Sequence, residues 1–164
     1  MTQVDTTDEP FEVPRIPASS GALIFDHRGR LLVLNPTYKR GWTVPGGQME
    51  ADGETPWGAC RREVREETGL DVRTGRLACV DFLRPRPRNP GGLRLLFDCG
   101  AVDDDTLASI VLPPEEISEY RVVPPDEAFE LLSGPLRRRV RATLASSRCV
   151  YLEDGRRPPG VTER

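Results

Sequence analysis

Gly46-Gly47-Gln48-Met49-Glu50-Ala51-Asp52-Gly53-Glu54 leads through Thr55-Pro56 into a stretch that ends Arg62-Glu63-Val64-Arg65-Glu66-Glu67-Thr68-Gly69-Leu70. It joins a glycine turn to a short helix crowded with carboxylates. Thr55 is a good N-cap, and Pro56 suits the first helical position, where a backbone N–H has no intrahelical partner to lose. Gly69 supplies the C-terminal stop. Glu63, Glu66 and Glu67 stand at i, i+3 and i+4, a spacing that places their side chains on one face within reach of a common ion. Trp57, Cys60 and Val64 follow a second stripe, the expected core-facing side. Carboxylates this close repel one another, whereas hard cations such as Mg²⁺ or Mn²⁺ favour oxygen ligands and relieve the repulsion. Arg62 and Glu54 offer an ion pair that ties the glycine loop to the helix. A Glu-x-x-Glu-Glu on an isolated helix is an ordinary solvated face. The glycine turn before it and the Gly69 stop after it give it the context of a metal-dependent hydrolase.

Outward from this stretch the chain alternates strands and helices. Ala22 to Phe25 and Leu31 to Leu34 read as strands of a hairpin joined through Asp26-His27-Arg28-Gly29-Arg30, whose Asp and Gly are turn formers. Trp42-Thr43-Val44 is expected as a short strand delivering the glycine loop. Val72 to Phe82 and Leu93 to Val102 read as a second strand pair across the Arg/Pro/Gly-rich loop Arg84 to Gly92. Tyr120 to Val123 makes a further strand, Asp126 to Leu132 a short helix, and Pro135 begins a last helix reaching about Ser146. Periodicity alone supports a generic α/β or α+β domain. The expected division is a polar N-terminal tail over 1–17, one domain over 18–153 and a C-terminal tail over 154–164.

At 164 residues the chain has the size of one domain with a substantial core. Its 37% hydrophobic and 30% charged content is that of a globular protein, and its longest apolar runs are far too short to cross a bilayer. Met1 to Pro17 lacks the basic start and apolar stretch of a secretory signal, so a cytoplasmic location is expected. The four cysteines, Cys60, Cys79, Cys99 and Cys149, lack the close pairing of a zinc site and His27 is the sole histidine, so reduced structural thiols are expected. A net charge of −3 gives no global field favouring nucleic acid. The Arg137-Arg138-Arg139-Val140-Arg141 cluster reads first as a solvated helix face, with an RNA-contacting surface as a weaker reading.

The motif resembles that of the Nudix (MutT-like) hydrolases: Gly, five residues, Glu, seven residues, Arg-Glu, an aliphatic residue, any residue, Glu-Glu, any residue, Gly and an aliphatic residue. From Glu54 onward every fixed position is filled, with seven residues between Glu54 and Arg62. In front, six residues rather than five separate Gly47 from Glu54, so the loop Gln48 to Gly53 is one residue longer than the pattern. The resemblance spans about Ser19 to Ser147 and implies a mixed β-sheet sandwiched between helices. It also implies hydrolysis of a phosphoanhydride bond in a nucleoside diphosphate linked to another group, such as a nucleoside triphosphate or an ADP-ribose-like compound, with Mg²⁺ or Mn²⁺ as cofactor. Carried over by position, Glu63, Glu66 and Glu67 with a backbone carbonyl of Gly47 are the metal ligands. Arg62 orients a carboxylate and Glu54 supports the loop. One of the helical glutamates, or Glu115, Glu116 or Glu119 on a later loop, activates water.

For the group attached to the diphosphate, Tyr38 and Trp42 are candidates to stack on a base, Trp42 fitting a packing role better. Arg84, Arg86 and Arg88 are candidates for phosphate or ribose contacts. Pro85, 15 residues after Leu70, lies near where ADP-ribose-cleaving relatives tend to have a proline. The partner expected is a nucleotide-type small molecule, with no membrane or nucleic acid and a monomeric or homodimeric chain. The contrasting class is a catalytically silent nucleotide sensor, against which the retained Glu63, Glu66 and Glu67 argue.

Overall fold

In the computed structural model, which describes residues 13–162, the expected order of elements appears with two additions. The first twelve residues of the expected N-terminal tail lie outside the described residues. Strand β1 (Ala18–Asp26) turns tightly into β2 (Leu31–Pro36), and the two are antiparallel, with Phe25 opposite Leu31. Asp26 makes this turn: its carboxylate accepts the backbone N–H groups of Arg28 and Arg30 at 2.9 and 2.8 Å and the Arg30 Nε at 2.7 Å. Strand β3 (Gly46–Gln48) also pairs with β1, antiparallel, at the opposite end from β2.

Helix α1 (Pro56–Thr68) begins and ends where the capping residues require. Thr55 Oγ1 accepts the Gly58 N–H at 3.1 Å, and Gly69 takes the left-handed conformation at φ 74°. Its apolar stripe, Cys60 and Val64 flanked by Trp57, packs with Ala22, Ile24, Leu32 and Leu34 on one face of the sheet. Strands β4 (Arg76–Leu83) and β5 (Gly92–Val102) are antiparallel, and β5 lies parallel to β1. After α2 (Asp104–Ala108), β6 (Ile117–Val123) adds to β2. Helices α3 (Pro125–Leu131) and α4 (Gly134–Leu144) cover the other face, and β7 (Val150–Glu153) closes the edge beside β4. Among the described residues this is one mixed sheet in the order β6-β2-β1-β5-β4-β7, with β3 on β1. A second apolar cluster, including Leu23, Leu96, Leu136 and Val140, fills the space beneath α3 and α4.

Two expectations are corrected. Trp42-Thr43-Val44 does not form a strand; Thr43 bridges Leu34, Trp42 bridges Leu132, and pairing with β1 waits until Gly46. Pro45 intervenes without an N–H, and its carbonyl accepts the Ala22 N–H at 2.8 Å. Strand β4 starts at Arg76 rather than Val72. Val72 is buried under α1, its carbonyl accepting Arg61 Nε at 2.9 Å, and Gly75 lies so close to the Trp57 ring that a Cβ would meet it at 2.6 Å. The segment is spent on reaching the sheet. Beyond Glu153, the turn at 154–156 is tied down: Asp154 N–H donates to the Phe82 carbonyl at 3.0 Å and Gly155 N–H to Asp81 at 2.9 Å.

Candidate active site

The glycine turn and α1 meet at β3, and both glycines are required there. Gly46 has φ +153°, and a Cβ on it would run into the Ser20 carbonyl oxygen. A Cβ on Gly47 would overlap the Glu63 carboxylate. Bare backbone at these positions lets the α1 carboxylates approach the sheet edge. Glu67 is 3% exposed, and the one hydrogen bond it accepts among the described residues is from the Gly46 N–H, at 2.8 Å. Burial pushes its carboxyl up to about 7; the Gly46 N–H opposes this and the neighbouring Glu63 adds to it. Burial likewise raises the Glu63 carboxyl, against the pull of Arg62.

Arg62 is the hub that makes this crowding tolerable. Its Nε meets Glu54 at 2.8 Å, its Nη1 meets Glu63 at 2.8 Å and Glu66 at 2.9 Å, and its Nη2 reaches the Gln48 carbonyl at 2.9 Å. The Glu54 hydrogen bond, joined by those of Glu63 and Glu66, raises the guanidinium pKa against burial, and the same Arg62 contact lowers that of Glu54. The expected Arg62–Glu54 tie between loop and helix is therefore present, and it extends to two more carboxylates. The longer loop turns outward: Ala51, Asp52 and Gly53 are exposed, Gly53 has φ +95°, and nothing lies within 4 Å of a Cβ placed there. Glu54 still holds the loop from within, accepting the Glu50 N–H at 2.9 Å.

A cavity of about 660 Å³ opens beside this hub. Gly47, Glu63 and Glu67 line it, as do Tyr38 and Glu116. Glu66 does not: it is 54% exposed and bound to Arg62. Helical spacing thus brings two of the three glutamates to the cavity, the third being drawn onto the guanidinium. Among the described residues no group of three His, Cys, Asp or Glu side chains is close enough to form a ready metal cluster. The donor set still fits a hard divalent cation, since buried carboxylates with raised pKa values beside a glycine cradle are oxygen ligands short of positive charge.

The candidates for substrate contact divide. Tyr38 is 63% exposed at the cavity, in a loop held by the Thr37 N–H to the Glu116 carbonyl at 2.8 Å. Trp42 sits outside the cavity lining and packs against the core, with the Arg121 guanidinium 4.7 Å from its ring centre. Arg84 and Arg86 are also outside: Arg84 pairs with Glu153 and with Asp154 at 2.8 Å, and Arg86 with Asp154 at 3.1 Å. Glu119 is taken by Arg121 at 2.7 Å. In the arginine cluster, Arg137 donates to backbone carbonyls and Arg141 lies over Phe129. Arg139 turns inward, 11% exposed, to the fully buried Asp81 at 2.8 Å. Sequence reasoning missed three cavity cations, Lys39, Arg94 and Arg139. For Arg94 a signal existed, a charge inside the apolar run Leu93-Arg94-Leu95-Leu96-Phe97.

The sequence profile of the NUDIX domain matches residues 15–144, covering the sheet core, the glycine turn and α1. The chain belongs to this family. A MutT-like protein of Streptomyces ambofaciens is 34% identical over 125 residues, spanning 73% of this chain and 76% of that one. A shorter match, 51% identical over 50 residues, links 30% of the chain to 30% of the human diphosphoinositol polyphosphate phosphohydrolase 3-alpha. The crystal structure of a MutT protein from Methanosarcina mazei Go1 superposes with a TM-score of 0.67 at 27% identity, over 82% of this chain and 96% of that one. The protein is thus a Nudix hydrolase, a pyrophosphohydrolase of a family that acts on nucleoside-diphosphate-linked, nucleotide-type substrates and generally requires a divalent metal. Among the described residues no helix is long and apolar enough to cross a membrane.

Proposed function

We propose that the chain hydrolyses a phosphoanhydride bond of a nucleoside triphosphate or an ADP-ribose-like dinucleotide, using Mg²⁺ or Mn²⁺ held by Glu63, Glu67 and a backbone carbonyl of Gly47, with Glu66 completing the oxygen set. The observation that carries this reading is the pair of half-starved carboxylates: Glu67 buried with one backbone N–H, and Glu63 against Gly47, both lining the cavity. A bound divalent cation supplies charge neutralisation for phosphate oxygens and lowers the pKa of coordinated water. The chain's own residues do the rest. Arg62 fixes the rotamers of Glu63 and Glu66 and keeps the loop against the helix through Glu54. Tyr38 offers an exposed ring at the cavity for a base to stack on. Glu116, which lines the same cavity, takes the role of accepting the proton of the attacking water in this reading.

Trp42, Arg84 and Arg86 have packing and ion-pair partners elsewhere and take no part in this proposal. The cellular compartment we infer is the cytoplasm, and the assembly a monomer or homodimer. A panel of nucleoside triphosphates, ADP-ribose and dinucleoside polyphosphates, assayed for phosphate release through a coupled pyrophosphatase or phosphatase with Mg²⁺ and with Mn²⁺, tests the reading. Turnover of at least one compound that depends on added metal is expected. Binding of nucleotides without turnover of any compound would instead identify a silent sensor.

A further inference from the structure

The cavity has two poles of opposite sign, and the β-sheet sets their separation. Gln48 pairs with Ser19, and Ser19 in turn pairs with Arg94, so one rung runs from β3 across β1 to β5. Adjacent strands lie about 4.8 Å apart, which puts the Arg94 Cα roughly 10 Å from that of Gln48. The carboxylates of α1 stand at the β3 end of this rung, where Gly47 meets Glu63. Arg94 and Arg139 stand at the β5 end, and both line the cavity.

The charges at the second pole do not balance. Asp81, opposite Arg94 on β4, gives its carboxylate to Arg139 at 2.8 Å and to the Gly155 N–H at 2.9 Å. Arg94 is left with carbonyl acceptors, Leu93 at 3.0 Å and Gly91 at 3.2 Å, and makes no carboxylate ion pair among the described residues. Partial burial, reinforced by the Arg139 charge, pulls the Arg94 pKa below its ordinary value. Two guanidinium groups share the one Asp81 carboxylate there, which leaves a positive charge at the cavity for a phosphoryl group. The Ser20 hydroxyl, also at the cavity, is buried with no hydrogen-bond partner among the described residues.

We infer that Arg94, seconded by Arg139, binds a further phosphoryl group of the substrate on the strand two removed from the carboxylate pole, so that the preferred substrates are nucleotides carrying a phosphate beyond the diphosphate being cleaved. This rests on the nucleotide-hydrolase reading above and narrows it. The same chemistry has two sources, a phosphate on the ribose or the far end of an extended polyphosphate chain.

The test compares matched ligands with wild type, Arg94→Gln and Arg94→Lys. Calorimetry with Mg²⁺ sets AMP against adenosine 2′,5′- and 3′,5′-bisphosphate, compounds without an anhydride bond. Initial-rate kinetics set ATP against adenosine 5′-tetraphosphate. In one of these arms wild type should favour the ligand with the extra phosphate by about tenfold or more, the effect of a charge-assisted hydrogen bond. The arm identifies the source. R94Q should erase that preference through Kd or KM with kcat little changed, and R94K should keep part of it. No preference in either arm, or one that survives in R94Q, would overturn the inference. If R94Q does not fold, as circular dichroism reports, wild type and R94K decide: an R94K preference equal to wild type's would count against the bidentate guanidinium role. Absence of hydrolysis of all compounds with either metal would sink the hydrolase reading alone, because calorimetry then extends to ATP and adenosine 5′-tetraphosphate and still reports on Arg94.

Discussion

Two kinds of buried carboxylate share this molecule. Asp26 and Asp81 are enclosed and fully served: Asp26 by two backbone N–H groups and Arg30, Asp81 by Arg139 and the Gly155 N–H. Glu67 is almost as deeply enclosed and receives a single backbone N–H. The consequence is visible in the acidities of Asp26 and Glu67. Burial raises the Asp26 carboxyl, but the Arg30 N–H and guanidinium with the Arg28 N–H outweigh it and leave the pKa below its ordinary value. At Glu67 burial prevails. A carboxylate whose partners are complete contributes to the fold, and one whose partners are missing awaits charge from outside.

Neutralising each member should separate the two roles, and Glu67 should give the largest effect. Glu67→Gln preserves volume and an oxygen for the Gly46 N–H while removing the charge. Turnover of whichever substrate the panel identifies should fall on the order of a thousandfold, about 4 kcal/mol of transition-state stabilisation. The thermal midpoint at pH 8 should be no lower than wild type, since a desolvated charge has gone. Activity within severalfold of wild type at limiting Mg²⁺ would remove Glu67 from the metal site. Glu66→Gln, at an exposed position on Arg62, should cost less.

At Asp81 the outcome should reverse, with stability rather than chemistry carrying the loss. Asp81→Ala leaves Arg139 buried without its counter-ion, at a cost of about 3 kcal/mol. A shift of the urea midpoint with unchanged m-value is the measurement. A variant as stable as wild type would show that Arg139 finds another partner.

Asp26 gives a smaller effect with a definite pH signature. Its folded pKa is lowered, so its contribution is present above the unfolded value near 3.8 and is lost as pH falls through the folded value. Asp26→Asn should therefore be less stable than wild type at neutral pH, and the gap should close as the solution is acidified below about 3.8. A gap independent of pH would mean that the hairpin turn needs the shape of Asp26 and not its charge.

The same contrast explains what could be read from the chain. Local rules placed α1 from Thr55 to Gly69 and the Asp26 turn, because caps and turns are decided by neighbours in sequence. Spacing also put Glu63 and Glu67 on one face and offered Arg62 to Glu54, but it did not show that Arg62 gathers Gln48, Glu54, Glu63 and Glu66 at once and so draws Glu66 away from the cavity. Arg84 and Arg86 were plausible phosphate ligands until β7 and the turn after it, invisible as a short isolated run, supplied Glu153 and Asp154. Arg139 read as solvated because its partner Asp81 lies 58 residues away. Long-range charge pairing is the quantity local patterning does not contain.

The smallest effect should come from the loop that departs from the family pattern. Ala51 is exposed in the turn that leads to Gly53, and the contacts that anchor the loop lie on either side of it: Glu50 N–H to Glu54 at 2.9 Å, Glu54 N–H to Asp52 at 3.0 Å, and Glu54 to Arg62. Deleting Ala51 shortens an outward bulge, and the change in loop-closure entropy for one residue is a small fraction of a kcal/mol, well under about 0.5. Activity on the panel substrate should stay within about twofold of wild type, the scale of a surface change away from packed contacts. If the shortened protein folds and binds Mg²⁺ yet loses turnover, the extra residue sets where Gly47 sits against Glu63, and the loop belongs with the starved carboxylates rather than with the surface.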